Sequence, residues 1–226
     1  MIFKDPILTI YFLSMMLSFI ISFGFVFHKN KPLYIKYFFL YPTLSLIFFL
    51  NKYFALYNMN YRQFMSIDAT QIIYNLSFIL HYLILGYFIK INFSDDKQNN
   101  IFSIIFWCFL IIITTLILSH DLRQKNGFAY GITNTCLILL CIIYYQQLFK
   151  SPPTIILVHS PAFWIINGIF FGMATTIPLN FSGNFFFANN NENIAIIKKL
   201  GSLSYIIMHL FFIKAYLCII RPNKVL

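Results

Sequence analysis

Seven apolar blocks, each about as long as a bilayer's hydrocarbon core is thick, leave this chain few ways to fold. A helix needs ~20 residues at 1.5 Å rise to cross that core. The blocks run over approximately 6–27, 33–50, 70–89, 101–119, 128–148, 161–187 and 195–220. Within them the apolar residues are continuous rather than striped, which marks a membrane span and not a soluble amphipathic helix. Only 10% of the 226 residues are charged and 60% are hydrophobic, against roughly 25% charged in a soluble domain. The longest connection, Asn51 to Ala69, is too short for a soluble domain of ~50 residues. The chain is therefore expected to be one domain, residues 1–226: an all-α integral membrane bundle of seven transmembrane helices.

The net charge of +10 would suggest nucleic acid in a soluble protein. Here the Lys and Arg residues stand almost wholly at block ends, where they meet lipid headgroups. No basic cluster is interleaved with stacking aromatics, so the expected partner is the lipid bilayer and not nucleic acid. The first block exceeds the 7–15 apolar residues of a signal peptide and no small-x-small site follows it, so it is read as a retained anchor. On the N-terminal side the count of basic residues is seven: Lys4, Lys52, Arg62, Arg123, Lys125, Lys198 and Lys199. The opposite side has nine: Lys29, Lys31, Lys36, Lys90, Lys97, Lys150, Lys214, Arg221 and Lys224. Three lysines closely follow the first block and one precedes it, which places the N-terminus outside and the C-terminus in the cytoplasm.

Polar residues inside the blocks are the candidates for function. The four cysteines (Cys108, Cys136, Cys141, Cys218) have no ligand spacing and read as small hydrophobes. In the third block Gln71, Tyr74, Phe78, His81 and Leu85 recur at helical spacing, with Asn75 and Tyr82 beside them. Tyr130, Asn134, Leu137, Cys141 and Tyr145 share a face of the fifth block, as do Ser202, Tyr205, His209, Phe212 and Tyr216 of the seventh. Polar groups facing lipid are costly, so these faces should turn inward. Together they predict an interior polar seam of Tyr74, Asn75, His81, Asn134, Asn180 and His209. In the sixth block Gly168 and Gly172 have the GxxxG spacing of a close helix contact, and Pro178 leaves the Ala174 carbonyl without its helical partner. Pro42 predicts a kink or break near Leu40.

His81, His120 and His209 are the candidate functional histidines. Two histidines on facing helices can ligate haem or a metal, but no HxxxH, HxxE or ExxH spacing supports it. A hydrogen bond between His81 and His209 across the bundle is the plainer expectation. His120, Asp121 and Ser119 form half of an acid–base site, beside Arg123. The histidine pair that seven-helix zinc hydrolases carry in their last span is missing here, and no nucleophile–base–orienter set can be assembled. No catalytic, metal or cofactor-binding residue is assigned and no cofactor is expected. The row Gly168, Gly172, Thr176, Asn180 and Asn184 beside Pro178 suits a transporter's broken helix. Against that, no carboxylate or basic residue lies mid-membrane to couple to ions, and no internal repeat is visible.

The end of the fifth block and the sixth read YYQQLFKSPP, PAFWIINGIFF and NFSGNFFF. Tyr145, Gln147, Leu148, Phe163, Trp164, Ile165, Phe181, Ser182, Gly183, Asn184 and Phe185 carry this pattern. It resembles a family of uncharacterised seven-helix membrane proteins of Gram-negative bacteria, with motif-level likeness confined to about Tyr144–Phe187. The resemblance implies a multi-pass protein of the bacterial cytoplasmic (inner) membrane, the membrane half of a sensory system, with a membrane protein or histidine kinase as partner. The resulting expectation is a non-enzymatic sensory or signalling component. A small-solute transporter or channel subunit is the alternative, and an intramembrane enzyme the third.

Overall fold

The computed structural model describes residues 5–27, 33–57, 67–92, 96–124, 126–150, 157–187 and 191–220. Helix α1 (Pro6–Val26) begins where the Asp5 carboxylate accepts the N–H groups of Ile7 at 3.0 Å and Leu8 at 3.4 Å, with Pro6 in the first turn. Its Ser14, Ser18 and Ser22 are buried while Ile10, Leu13, Leu17 and Ile20 are exposed. Small residues thus face the bundle and branched apolar ones face outward. Next come α2 (Leu33–Phe38) and α3 (Leu40–Tyr57), one apolar segment interrupted at Phe39. Pro42 has no N–H for the Phe38 carbonyl, and its ring crowds that oxygen. Thr43 holds the next carbonyl, Phe39, with both its N–H at 3.3 Å and its hydroxyl at 2.8 Å.

The chain continues with α4 (Ile67–Ile91), α5 (Asp96–Leu118), α6 (Gly127–Lys150), a 3-10 turn (Leu157–His159), α7 (Pro161–Phe187) and α8 (Asn191–Ile220). Among the described residues six helices, α1 and α4 to α8, are long and apolar enough to cross a membrane. The protein is therefore an all-α polytopic membrane protein with six candidate spans. Where the sequence predicts a seventh full span, the apolar part of α2–α3 is a shorter stretch, Ile35–Asn51. The Pro42 break is the physical reason for its irregularity.

Side-chain contacts fix the helix directions. Tyr11 meets Tyr205 at 5.9 Å between ring centroids and Phe25 meets Tyr216 at 5.3 Å, so α1 and α8 run parallel. Asn75 faces Tyr130 and Gly86 faces Leu140, so α4 and α6 are parallel too. Between them α2–α3 runs the other way: Phe49 meets Tyr11 and Phe39 meets Phe19 along α1, while Tyr37 meets Tyr87 and Tyr41 meets His81 along α4. Helix α7 is antiparallel to both neighbours, pairing Gly131 with Phe181 and Asn134 with Thr176 on one side, and Gly168 with Phe212 and Leu179 with Gly201 on the other.

Close approach depends on glycine at the α7–α8 seam. A Cβ on Gly168 would lie 2.9 Å from Phe211 Cβ, and one on Gly172 2.9 Å from Met208 Sδ. Helix α7 runs unbroken through Pro178, which is exposed. The Thr175 and Thr176 hydroxyls bond back to the carbonyls of Phe171, Gly172 and Met173, not to that of Ala174. Of the charged residues that set the expected orientation, Lys4, Lys29, Lys31, Arg62, Lys125, Arg221 and Lys224 lie outside the described residues. So do the side chains of Lys52, Lys97, Lys198 and Ser182 to Phe185.

Candidate functional site

Two polar clusters occupy the interior, and they differ in how far their hydrogen-bonding capacity is used. The first joins α4, α6 and the turn between α5 and α6. Asn126 builds that turn: its Oδ1 accepts the Ala129 N–H at 2.9 Å and its Nδ2 donates to the Leu116 carbonyl at 3.1 Å. One side chain thus satisfies an orphan donor at the start of α6 and a carbonyl in the last turn of α5. Asp121 closes the rest of the turn, accepting the Arg123 N–H on Oδ1 at 3.0 Å and the Gln124 N–H on its carbonyl at 3.0 Å. His120 and Ser119 beside it are exposed. The sequence's half acid–base site is accordingly an exposed turn.

Asn75 reaches this turn from α4. It is 1% exposed, and its Nδ2 donates to the carbonyls of Leu122 at 2.7 Å and Gln124 at 2.9 Å. Its Oδ1 accepts from the Tyr130 hydroxyl and from Gln71 Nε2, the latter at 3.1 Å. Two donors and two lone pairs are then all engaged. Phe78 stacks flat on Tyr130 at 3.8 Å and seals the cluster. Farther along α6, Asn134 Nδ2 donates to Thr176 Oγ1 at 2.8 Å and Tyr145 donates to Asn167 Oδ1 at 3.0 Å, pinning α6 to α7.

The second cluster forms where α1, α3, α4 and α8 meet. It gathers the phenols of Tyr11, Tyr41, Tyr74 and Tyr205, the imidazoles of His81 and His209, and Ser45. The phenols lie within electrostatic range of one another: Tyr11 with Tyr74 and Tyr205, Tyr41 with Tyr11 and Tyr205, and Tyr74 with Tyr205. His81 Nε2 is 3.4 Å from Ser45 Oγ. Tyr41 lies edge-on to His81 at 5.2 Å, and its hydroxyl reaches Met208 Sδ at 3.8 Å. His209 is 1% exposed, set between Tyr11 at 6.2 Å and Phe212 at 5.7 Å. Its Nδ1 has no hydrogen-bond partner among the described residues.

The predicted seam is thus divided. His81 and His209 lie in the second cluster, Asn75 anchors the first, Tyr74 stands between the two with its ring edge-on to Tyr130 at 5.7 Å, and Asn134 pairs with Thr176. Asn180 is half-buried on α7, and no bond joins it to the other five. His81 and His209 do not bond each other; His81 takes Ser45 instead. Pattern reading missed Tyr11, Tyr41 and Ser45. A signal for Tyr11 was present, since Tyr11, Ser14, Ser18, Ser22 and Phe25 recur at helical spacing in the first block.

Chemically the second cluster offers neutral hydroxyl and imidazole donors and acceptors framed by aromatic faces. Among the described residues no three His, Cys, Asp or Glu side chains are grouped to hold a metal ion. Such a set can bind a small polar ligand by hydrogen bonding and stacking. Comparison with protein-family models, curated proteins and solved structures finds no match to the chain.

Proposed function

We propose that this is a sensory membrane protein whose Tyr–His cluster takes a small polar ligand and whose helices relay the bound state to a partner protein. The observation that carries this is His209: a buried imidazole nitrogen without a partner among the described residues, within a cluster shared by four helices. A buried polar atom left unbonded costs ~1–3 kcal/mol, and a ligand that bonds it recovers that cost. A ligand bridging Tyr74 or His81 on α4 to Tyr205 or His209 on α8 binds one relative placement of these helices better than another. That differential affinity shifts the population toward the favoured placement. Because the connections are short, the output surface is the set of helix faces in the membrane plane, met there by a membrane or kinase partner.

The same proposal makes α2–α3 a seventh crossing, the N-terminus external and the C-terminus cytoplasmic in a bacterial inner membrane. Parallel α1 and α4 support the crossing, since the chain must return between them. The resemblance read from the sequence over Tyr144–Phe187 implies the same arrangement.

The test compares a deletion strain with one carrying His209→Leu at the native locus. Deletion should change a defined set of transcripts, and His209→Leu should reproduce that change with the protein inserted at its normal level. An unchanged transcript profile in the deletion strain overturns the proposal. So does solute accumulation by reconstituted vesicles above that of protein-free ones, which would assign a transporter.

A further inference from the structure

We infer that a groove across α4, between α2 and α5, seats one acyl chain of an anionic phospholipid with its headgroup on Lys90. The recess has a volume of about 290 Å³. Phe38, Phe88 and Phe106 form its buried floor, and Tyr37, Leu40, Tyr87 and Trp107 its half-open rim. Two local features make it concave. The interruption at Phe39 ends α2 after six residues. On the other wall Gly86 admits the Phe106 ring, which a Cβ there would meet at 2.6 Å, so α5 closes onto α4 beneath the groove.

An apolar recess open to a bilayer holds hydrocarbon, because an empty one forfeits the dispersion contacts of its lining. Charge selects which lipid supplies the chain. Lys90 lines the groove from the last turn of α4, half-buried, where a lysine lays its stem on apolar surface and keeps its ammonium at the headgroups. Lys36 stands one residue before the rim residue Tyr37. Tyr37 and Tyr87 meet edge-on at 6.4 Å beside the lysine, the placement expected of tyrosine at headgroup level. Anionic headgroups are drawn to such a site; a zwitterionic lipid has no net charge to offer it.

Trp107 on the rim supplies the readout, and Trp164→Phe leaves it the sole tryptophan of the 226 residues. That variant is reconstituted in phosphatidylcholine bilayers containing a minor fraction of dibrominated phosphatidylglycerol or, separately, dibrominated phosphatidylcholine. The brominated anionic lipid should quench Trp107 at a roughly fivefold lower fraction, the factor one lysine contributes near a membrane surface. Lys90→Gln in the same background should make the two lipids equal. Equal quenching before that substitution, or a preference that survives it, overturns the assignment. Failure of both lipids to quench also overturns it, since the groove would then be covered by a second copy of the chain.

Discussion

At Asn75 a single amide holds a helix to a turn through backbone carbonyls, and its removal strands more than one group. Asn75→Leu leaves the Leu122 and Gln124 carbonyls without their donor and deprives Gln71 and Tyr130 of an acceptor. Hydrogen bonds inside membrane proteins average only ~0.6 kcal/mol each, so the loss of the set should cost ~2 kcal/mol. Asn180→Leu removes no comparable network and should cost less than ~0.6 kcal/mol. Thermal unfolding of the purified variants in detergent checks the pair; equal losses would mean that the Asn75 network does not bear on stability. The inward position of Asn75 was legible from the spacing of Gln71, Tyr74 and Phe78. Its partners were not, because main-chain oxygens in a turn leave no side-chain pattern to read. For the same reason the seam was drawn as one: helical spacing says that Asn134 and His209 face inward, but not which neighbours they meet.

At the level of helices, two glycines with the same spacing are not equivalent. A Cβ at Gly168 would press on Phe211 Cβ at 2.9 Å and the Met208 carbonyl oxygen at 3.1 Å, atoms that no rotamer change moves aside. At Gly172 the nearest neighbours belong to the Met208 side chain, whose flexible thioether can repack, although its Cβ at 3.0 Å sets a limit. Gly168→Ala should therefore destabilise the protein by ~1–3 kcal/mol, and Gly172→Ala by less. Leu139→Ala, at a lipid-facing position 42% exposed, should fall below both. Midpoints of thermal unfolding in that order support α7–α8 as the closest-packed pair; Leu139→Ala as the most damaging would refute it. The GxxxG spacing made a contact legible without naming α6 or α8 as the partner, which only Met208, Phe211 and Phe212 decide. The two prolines show why similar signals end differently. Pro42 follows a helix of only six residues, and the helix breaks at Phe39 although Ile35 and Phe38 are fully buried. Pro178 faces outward in a helix held on both sides, by Leu179 against Gly201 and by Phe181 against Gly131. There the helix stays continuous.

For the molecule as a whole, the helix directions determine which ends share a face of the bundle. Parallel α1 and α8 put Asp5 and Asn191 at one end, with Phe27 and Ile220 at the other. Under the proposal above, α2–α3 carries the chain back between the parallel α1 and α4, although its apolar stretch is short and interrupted. At ~1.5 Å per residue the segment 33–57 is still long enough to cross ~30 Å of hydrocarbon. In the orientation proposed above the cytoplasmic end is the one that carries the three lysines closely following α1, against one before it. A reporter fused after Leu226 should accordingly be active in the cytoplasm, and one inserted between Asn189 and Asn193 outside. Reporters within 28–32 and 58–66 should fall on opposite sides, cytoplasmic and external respectively. These outcomes separate two questions that the charge count alone runs together. Inversion at all four sites overturns the orientation and leaves the seven crossings intact. Reporters at 28–32 and 58–66 on one side would instead mean that α2–α3 re-enters rather than crosses. That result cannot coexist with α1 and α4 lying parallel across one bilayer, so it would overturn the packing of Tyr11 on Phe49 and of Tyr41 on His81 as well.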